Sequence, residues 1–213
     1  MRARLSVTVL FAAACSGGGA IDAGVDAGGP ACGDTSGDRA AQVCLRWKCD
    51  TQDTREGDWD GEANPDAGVC RAGDLEADAR VNAVRLINLY RFIADLHPVE
   101  SAPMRDAQAQ ACALMMHAAG ALDHMPPPSW PCYTPQGAAA AGASVISPTR
   151  AVEAINLYMH DPGNAGTLGH RRWLLAATLG PVGVGGTSRA SCHQVTGGTM
   201  STSRRFVAWP PNG

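Results

Sequence analysis

The sequence predicts an α+β domain, an antiparallel sheet covered by helices. Three observations predict it. Apolar residues recur at three- and four-residue steps in "DLEADARVNAVRLINLYRFIADLHPV" and in later stretches. After Gly180 the texture changes to short apolar runs bounded by Gly, Ser and Pro. Helices come first and strands last, and the length of 213 residues suits one domain with extras.

The chain opens with "MRARLSVTVLFAAAC", where Arg2 and Arg4 precede an apolar run from Leu5 to Ala14. A charged start, a short apolar core and small residues describe an export signal. The run is far shorter than the roughly 20 residues that span a bilayer. Ala12-Ala13-Ala14-Cys15 resembles a bacterial lipobox. That implies a signal peptide over residues 1–14 and a lipid anchor at Cys15, with several acyl chains holding the protein to a membrane. The alternative is an ordinary secretory signal in which Cys15 is incidental. Export to the cell envelope, at the outer membrane or cell surface, is the expected destination. Residues 15–31, rich in Gly, Ala and Asp, have almost nothing to bury and read as a flexible tether.

Export places the cysteines after Cys15 in an oxidising compartment. Cys32, Cys44, Cys49 and Cys70 come early, and Cys112, Cys132 and Cys192 later. The early set allows several pairings, and the loose Cys44/Cys49 spacing favours disulfides over a zinc site. An odd number after Cys15 leaves one thiol free, paired outside the chain, or without its partner. Residues 32–74 show little periodicity and are expected to be an irregular, disulfide-stapled segment, ahead of an ordered domain over residues 75–213.

Within that domain the first helix is expected over residues 75–96, limited by Pro98. The second runs over 103–121, with Pro103 in its first turn. "MPPPSWPCYTPQG" is expected to be an extended loop, since consecutive prolines exclude regular structure. Ser147-Pro148 reads as a cap and first residue of a third helix through "TRAVEAINLYMHD", which Asp161-Pro162-Gly163 ends. A short fourth helix is expected over residues 167–176. "PVGVGGT", "ASCHQVT" and "RRFVAWP" read as strands.

A formal net charge of −3, with both signs mixed along the chain, gives no electrostatic case for nucleic acid. Among the histidines, His117 lies on an apolar helix face and reads as core, whereas His97, His160 and His193 carry no supporting pattern. His124 closes the second helix in "GALDHMPPP", and His170 opens the short helix in "GHRRWLL". Helical spacing puts His170, Trp173 and Leu174 on one face and displaces Arg171 and Arg172 toward solvent or a carboxylate. An inward His170 is either a hydrogen-bonded structural pin or one member of a polar cluster.

Residues 80–209 resemble the CAP superfamily, or SCP domain, of cysteine-rich secretory and pathogenesis-related proteins, in its bacterial secreted branch. The segments that carry the resemblance are "ARVNAVRLINLYR", "AQAQACALMMHAAGALDH", "AVEAINLYMHDPG", "GHRRWLL" and "VGVGG", in that order. The resemblance implies an α-β-α sandwich, a small antiparallel sheet flanked by helices, with a central cleft. Many members line that cleft with two histidines and two glutamates, and the histidine pair can hold a divalent metal. His124 and His170 match the histidines. The glutamates do not carry over. Ser144 stands in "GAS" where the family has Gly-Glu-Asn, and Asp161 or Asp123 is left as a substitute carboxylate.

Two histidines alone hold a metal such as zinc weakly, because zinc chemistry needs about three good ligands plus an open position. Neither Ser144 nor Ser147 sits in a nucleophile elbow. The expected function is therefore a surface-anchored, non-enzymatic binding protein. Its cleft would be lined by His124, His170, Ser144, Asp161, Trp130 and Tyr133, and its ligand would be a lipid, a polysaccharide or a protein. The alternatives are a metal-dependent hydrolase acting on envelope polymers or peptides, and a purely structural envelope protein. Cys112 and Cys132 are expected to staple the proline loop to the second helix, closing a loop of about 20 residues worth roughly 3 kcal/mol. Trp130 and Tyr133 on that loop read either as ligand contacts or as a cap on the core. Related bacterial domains continue past "VAWPPNG". A missing final strand is thus expected to leave Cys192 without a partner and a sheet edge exposed.

Overall fold

The computed structural model describes residues 36–203 and 207–210. The signal sequence, Cys15, the tether and Cys32 lie outside the described residues. One unit of the chain ends at Gln52, and a second begins at Asp53. In the first, helix α1 spans Arg39–Asp50. Asp38 caps it by accepting from the Ala41 amide at 2.9 Å, and Arg46 pairs with Asp50 one turn on at 2.7 Å. Cys44 and Cys49, both on α1, are disulfide-bonded. The irregular structure expected here is thus corrected to a capped helix.

The second unit starts earlier than the expected residue 75. Strands β1 (Glu62–Asn64) and β2 (Val69–Arg71) form an antiparallel hairpin in which Ala63 faces Cys70. A single 3-10 turn joins them, and Gly68 closes it at φ 70°. Trp59 donates its indole N–H to Ala72 O at 2.7 Å and so ties the flanks of the hairpin together.

Helix α2 spans Ala77–Ile93, and Ala79, Ala83, Leu86, Tyr90 and Ile93 form its buried stripe. Helix α3 spans Pro103–Ala119, starts on proline as expected, and ends at Gly120 in the left-handed conformation. Helix α4, Pro135–Gly142, was not anticipated. Its "PQG" start reads as loop, but Pro135 occupies the first turn and Thr134 caps it, accepting from the Gly137 amide at 2.9 Å.

Strand β3, Ser144–Ser147, takes the place of the expected Ser147 helix cap. The Ser147 hydroxyl meets that of Thr149 at 2.9 Å instead. Helix α5, Ala151–His160, has no side-chain cap of its own. The Glu56 carboxylate supplies one, accepting from the Val152 amide at 2.8 Å and the Glu153 amide at 2.6 Å. Helix α6 spans Gly169–Leu174, followed by strands β4 (Gly183–Gly186) and β5 (Ser191–Gln194). Residues 207–210, expected in a last strand, form none, and residues 204–206 lie outside the described residues.

The α+β fold class is as the sequence predicts. The sheet is antiparallel in the order β3-β5-β4. Alternation along β5 sends Cys192 to one face, bonded to Cys112 of α3, and His193 to the other, against Tyr158 of α5. Helices therefore cover both faces, α3 and α4 on one, α2 and α5 on the other.

The disulfides correct the expected pairing. Cys112 joins Cys192 across 6.1 Å between Cα atoms, and Cys132 joins Cys70 of the hairpin across 5.3 Å. Cys112 is fully buried on the sheet-facing side of α3. It therefore meets β5 rather than the outer proline loop, and Cys192 has a partner. A link separated by 80 residues contributes about 4.5 kcal/mol on the loop-closure account, against about 3 kcal/mol for the short loop expected.

The close approach of α3 to β4 sets the spacing of the domain. A Cβ on Gly185 would overlap the backbone of Ala109 and Gln110, and one on Gly183 would overlap Arg105. The edge of β4 is wired to side chains. Asp106 accepts from the Val184 amide at 2.8 Å. Gln110 accepts from the Gly186 amide at 3.0 Å and donates to the Gly186 carbonyl at 2.8 Å. Arg80 of α2 donates to Val184 O at 3.3 Å.

Gly185→Ala should cost at least about 3 kcal/mol, because a backbone, not a flexible side chain, occupies the space. Urea unfolding of the variant beside the parent measures it, and equal midpoints would contradict this packing.

Candidate functional site

Asp161 explains the "GTLGHRRWLL" stretch. Helix α5 ends on this residue at φ 53°, a left-handed conformation that turns the chain back on itself. The carboxylate then faces the start of α6, whose own Leu168 supplies no cap. Asp161 Oδ2 accepts from the His170 amide at 3.1 Å and the Arg171 amide at 3.4 Å. Its Oδ1 accepts from His170 Nδ1 at 2.6 Å. One buried carboxylate thus starts the helix and fixes the ring of its second residue.

Burial alone would raise the Asp161 pKa. The hydrogen bonds from His170, Asn164 and the Arg171 amide outweigh it and hold the carboxyl below its usual range. Asp161 is therefore ionised near neutrality and accepts from His170 Nδ1. The Asp161 side chain is 1% exposed and that of His170 34%, so Nε2 of a braced imidazole is left toward solvent. Tyr158 stacks on His170 at 5.3 Å between ring centroids.

Arg171 is half-exposed and does not pair with a carboxylate through its side chain; it donates from Nε to Met159 O at 2.6 Å and from Nη2 to His160 O at 3.3 Å, holding the carbonyl end of α5. Leu174 is buried, Trp173 half-exposed and Arg172 exposed.

His124 is placed differently. Helix α3 ends before it, so it lies in the following loop, exposed, with Nδ1 donating to Ala141 O of α4 at 2.9 Å. His124 belongs to the α3–α4 layer and His170 to the α5–α6 side. No hydrogen bond or ring contact among the described residues joins them. Asp123 accepts from the Met125 amide at 2.8 Å, a local turn contact. No group of three or more His, Cys, Asp or Glu able to hold a metal occurs among the described residues.

Ser144 is buried and donates to Ala140 O at 2.6 Å, so its hydroxyl is engaged inside α4. Ser147 is fully buried. Neither serine is hydrogen-bonded to a histidine. Trp130 and Tyr133 do cap the core, packing on the cluster around Cys112 and Met116. They also line a groove of about 410 Å³ with Cys70, Cys132 and Leu114, and neither His124 nor His170 lines it.

His193 and Tyr158 lacked any pattern in the sequence and prove central. His193 is fully buried on β5, with its ring at 5.5 Å and edge-on to Tyr158. Neither ring nitrogen has a hydrogen-bond partner among the described residues, nor has the Tyr158 hydroxyl. Ser191 lies near that hydroxyl, and the Ala151 backbone near the imidazole, without reaching regular hydrogen-bond geometry. Burial lowers the His193 pKa from 6.5 to about 4. His117 is a half-buried core residue, its ring tilted against Trp59 at 5.2 Å between centroids, and accepts at Nε2 from Arg189 at 3.1 Å.

The His193 ring takes up a proton near pH 6.5 when unfolded and only near 4 when folded. Stability is therefore full above about pH 6.5 and declines as pH falls toward 4, by up to about 3 kcal/mol. Urea unfolding across that range should show the decline, and His193→Leu should flatten it; an equal slope in both would contradict the assignment. Asp161→Asn should cost about 1–2 kcal/mol by weakening the cap. It should also release the His170 ring, read as loss of the hydrogen-bonded Nδ1 proton signal by NMR; a retained signal would show that the ring is held some other way.

Comparison with protein-family models, with curated proteins and with solved structures gives no match to this chain, so its site is read from its own residues.

Proposed function

We propose that the chain is a non-enzymatic binding protein of the CAP type, exported and anchored at the cell envelope through Cys15. Polar contact with its ligand is made by His170. What supports the reading is the braced imidazole itself: His170 is fixed by Asp161 and half-open to solvent. A held imidazole of this kind orients a polar group of a ligand. The order of helices and strands, with helices on both faces of a small sheet, is what the resemblance to that superfamily implies. No helix among the described residues is long and apolar enough to cross a membrane, so anchoring rests on the sequence around Cys15.

The second reading, a hydrolase of envelope polymers or peptides, draws on the same Asp161–His170 pair, since a carboxylate-braced imidazole is also the form a general base takes. The purified chain separates the two. Titration against short-chain phospholipids, neutral oligosaccharides and peptides, followed by mass analysis of each, should show saturable binding of an unaltered ligand, weakened about tenfold in His170→Ala. Turnover of any of these that vanishes in His170→Ala, or stoichiometric zinc in the purified chain, would overturn the binding reading.

A further inference from the structure

The groove beside the proline loop has a chemistry of its own. Its wall is stiff before any ligand arrives. The Cys70–Cys132 bridge ties the loop to the β1–β2 hairpin, and Cys132 turns the chain at φ 56°. The Trp130 amide donates to Pro127 O at 3.0 Å, the Tyr133 amide to Trp130 O at 3.3 Å, and Thr134 is fixed as the cap of α4. Prolines and a crosslink hold both rings in place, so a ligand pays little to order them.

No charged side chain lines the groove. Its space of about 410 Å³ falls in the range of small-ligand sites. The indole N–H of Trp59 is spent on Ala72 O at 2.7 Å. Trp130 Nε1 and the Tyr133 hydroxyl make no hydrogen bond to the described residues. Both side chains are half-buried, with their apolar bodies packed on the core.

We infer that this groove binds an uncharged saccharide unit. The chemistry selects it against the alternatives. A phosphate or carboxylate finds no cation in the wall, and an ammonium no carboxylate. A hydrocarbon chain would cover an N–H and an O–H and leave both unpaired, at about 1–3 kcal/mol each. A sugar ring offers a face of C–H groups to the aromatic bodies and a rim of hydroxyl and ring oxygens to the two donors. The inference goes beyond the binding reading above: it assigns a separate site, in a groove that neither His124 nor His170 lines.

Calorimetric titration of the full chain with cellotetraose and with the β-1,4-linked tetramer of N-acetylglucosamine tests it, with dihexanoylphosphatidylcholine as the apolar comparator. One tetrasaccharide should bind saturably, one per chain. Trp130→Ala should weaken it at least about tenfold. Tyr133→Phe, which removes one oxygen and leaves the core packing, should weaken it about fivefold. No binding of either sugar, binding of the phospholipid alone, or full affinity in Tyr133→Phe would overturn the inference. If the sugars fail while another ligand binds through His170, only this inference falls. If a tetrasaccharide is cut to shorter products, the non-enzymatic reading falls with it.

Discussion

Gly183 and Gly185 leave β4 bare of side chains where it meets α3, and the helix backbone fills the space. Much of the domain follows from that contact. It brings Asp106 and Gln110 within reach of the strand's outer amides, and one turn on it sets Cys112 over Cys192. Burial raises the Asp106 pKa, while the Val184 amide and Arg80 oppose that rise. The carboxyl is held by its contacts, not by solvent. A single helix thereby carries the close packing, the hydrogen bonds and the crosslink that fix the sheet.

On the opposite face the organising groups are two carboxylates that cap helices other than their own. Glu56 reaches α5 from the segment before the hairpin, and Asp161 reaches α6 from the end of α5. Each neutralises amides that would otherwise lack partners. Asp161 does this and also fixes His170, so the geometry of the candidate site is inherited from a capping interaction. Tyr158 and His193 lie beneath it as a buried aromatic floor.

The long amphipathic helices were legible because their apolar spacing is strong: α2 and α3 fall within a few residues of the expected bounds. Helix α4 was hidden by the prolines before it, one of which proved to be a helix start. Strand β3 was hidden because Ser147-Pro148 has the composition of a cap. The α5 cap was out of reach of local reading, since Glu56 and Val152 lie 96 residues apart. Disulfide pairing depends on which face of α3 meets β5, and spacing does not encode that. Of the candidate site, His170 and Asp161 could be singled out from the residues, and the structure brings them into contact. The contact of His124 with Ala141 of α4, and the burial of His193, required the sheet and its helices to be in place.

The wiring of β4 has a consequence for how copies of the chain can meet. An exposed strand edge ordinarily invites a foreign strand to add to the sheet, the first step of strand exchange and of fibrillar growth. Here an incoming backbone would have to displace a carboxylate, an amide and a guanidinium, each already bonded to the row it needs. That edge is in effect insulated, and polymerisation by sheet extension would have to begin elsewhere on the molecule.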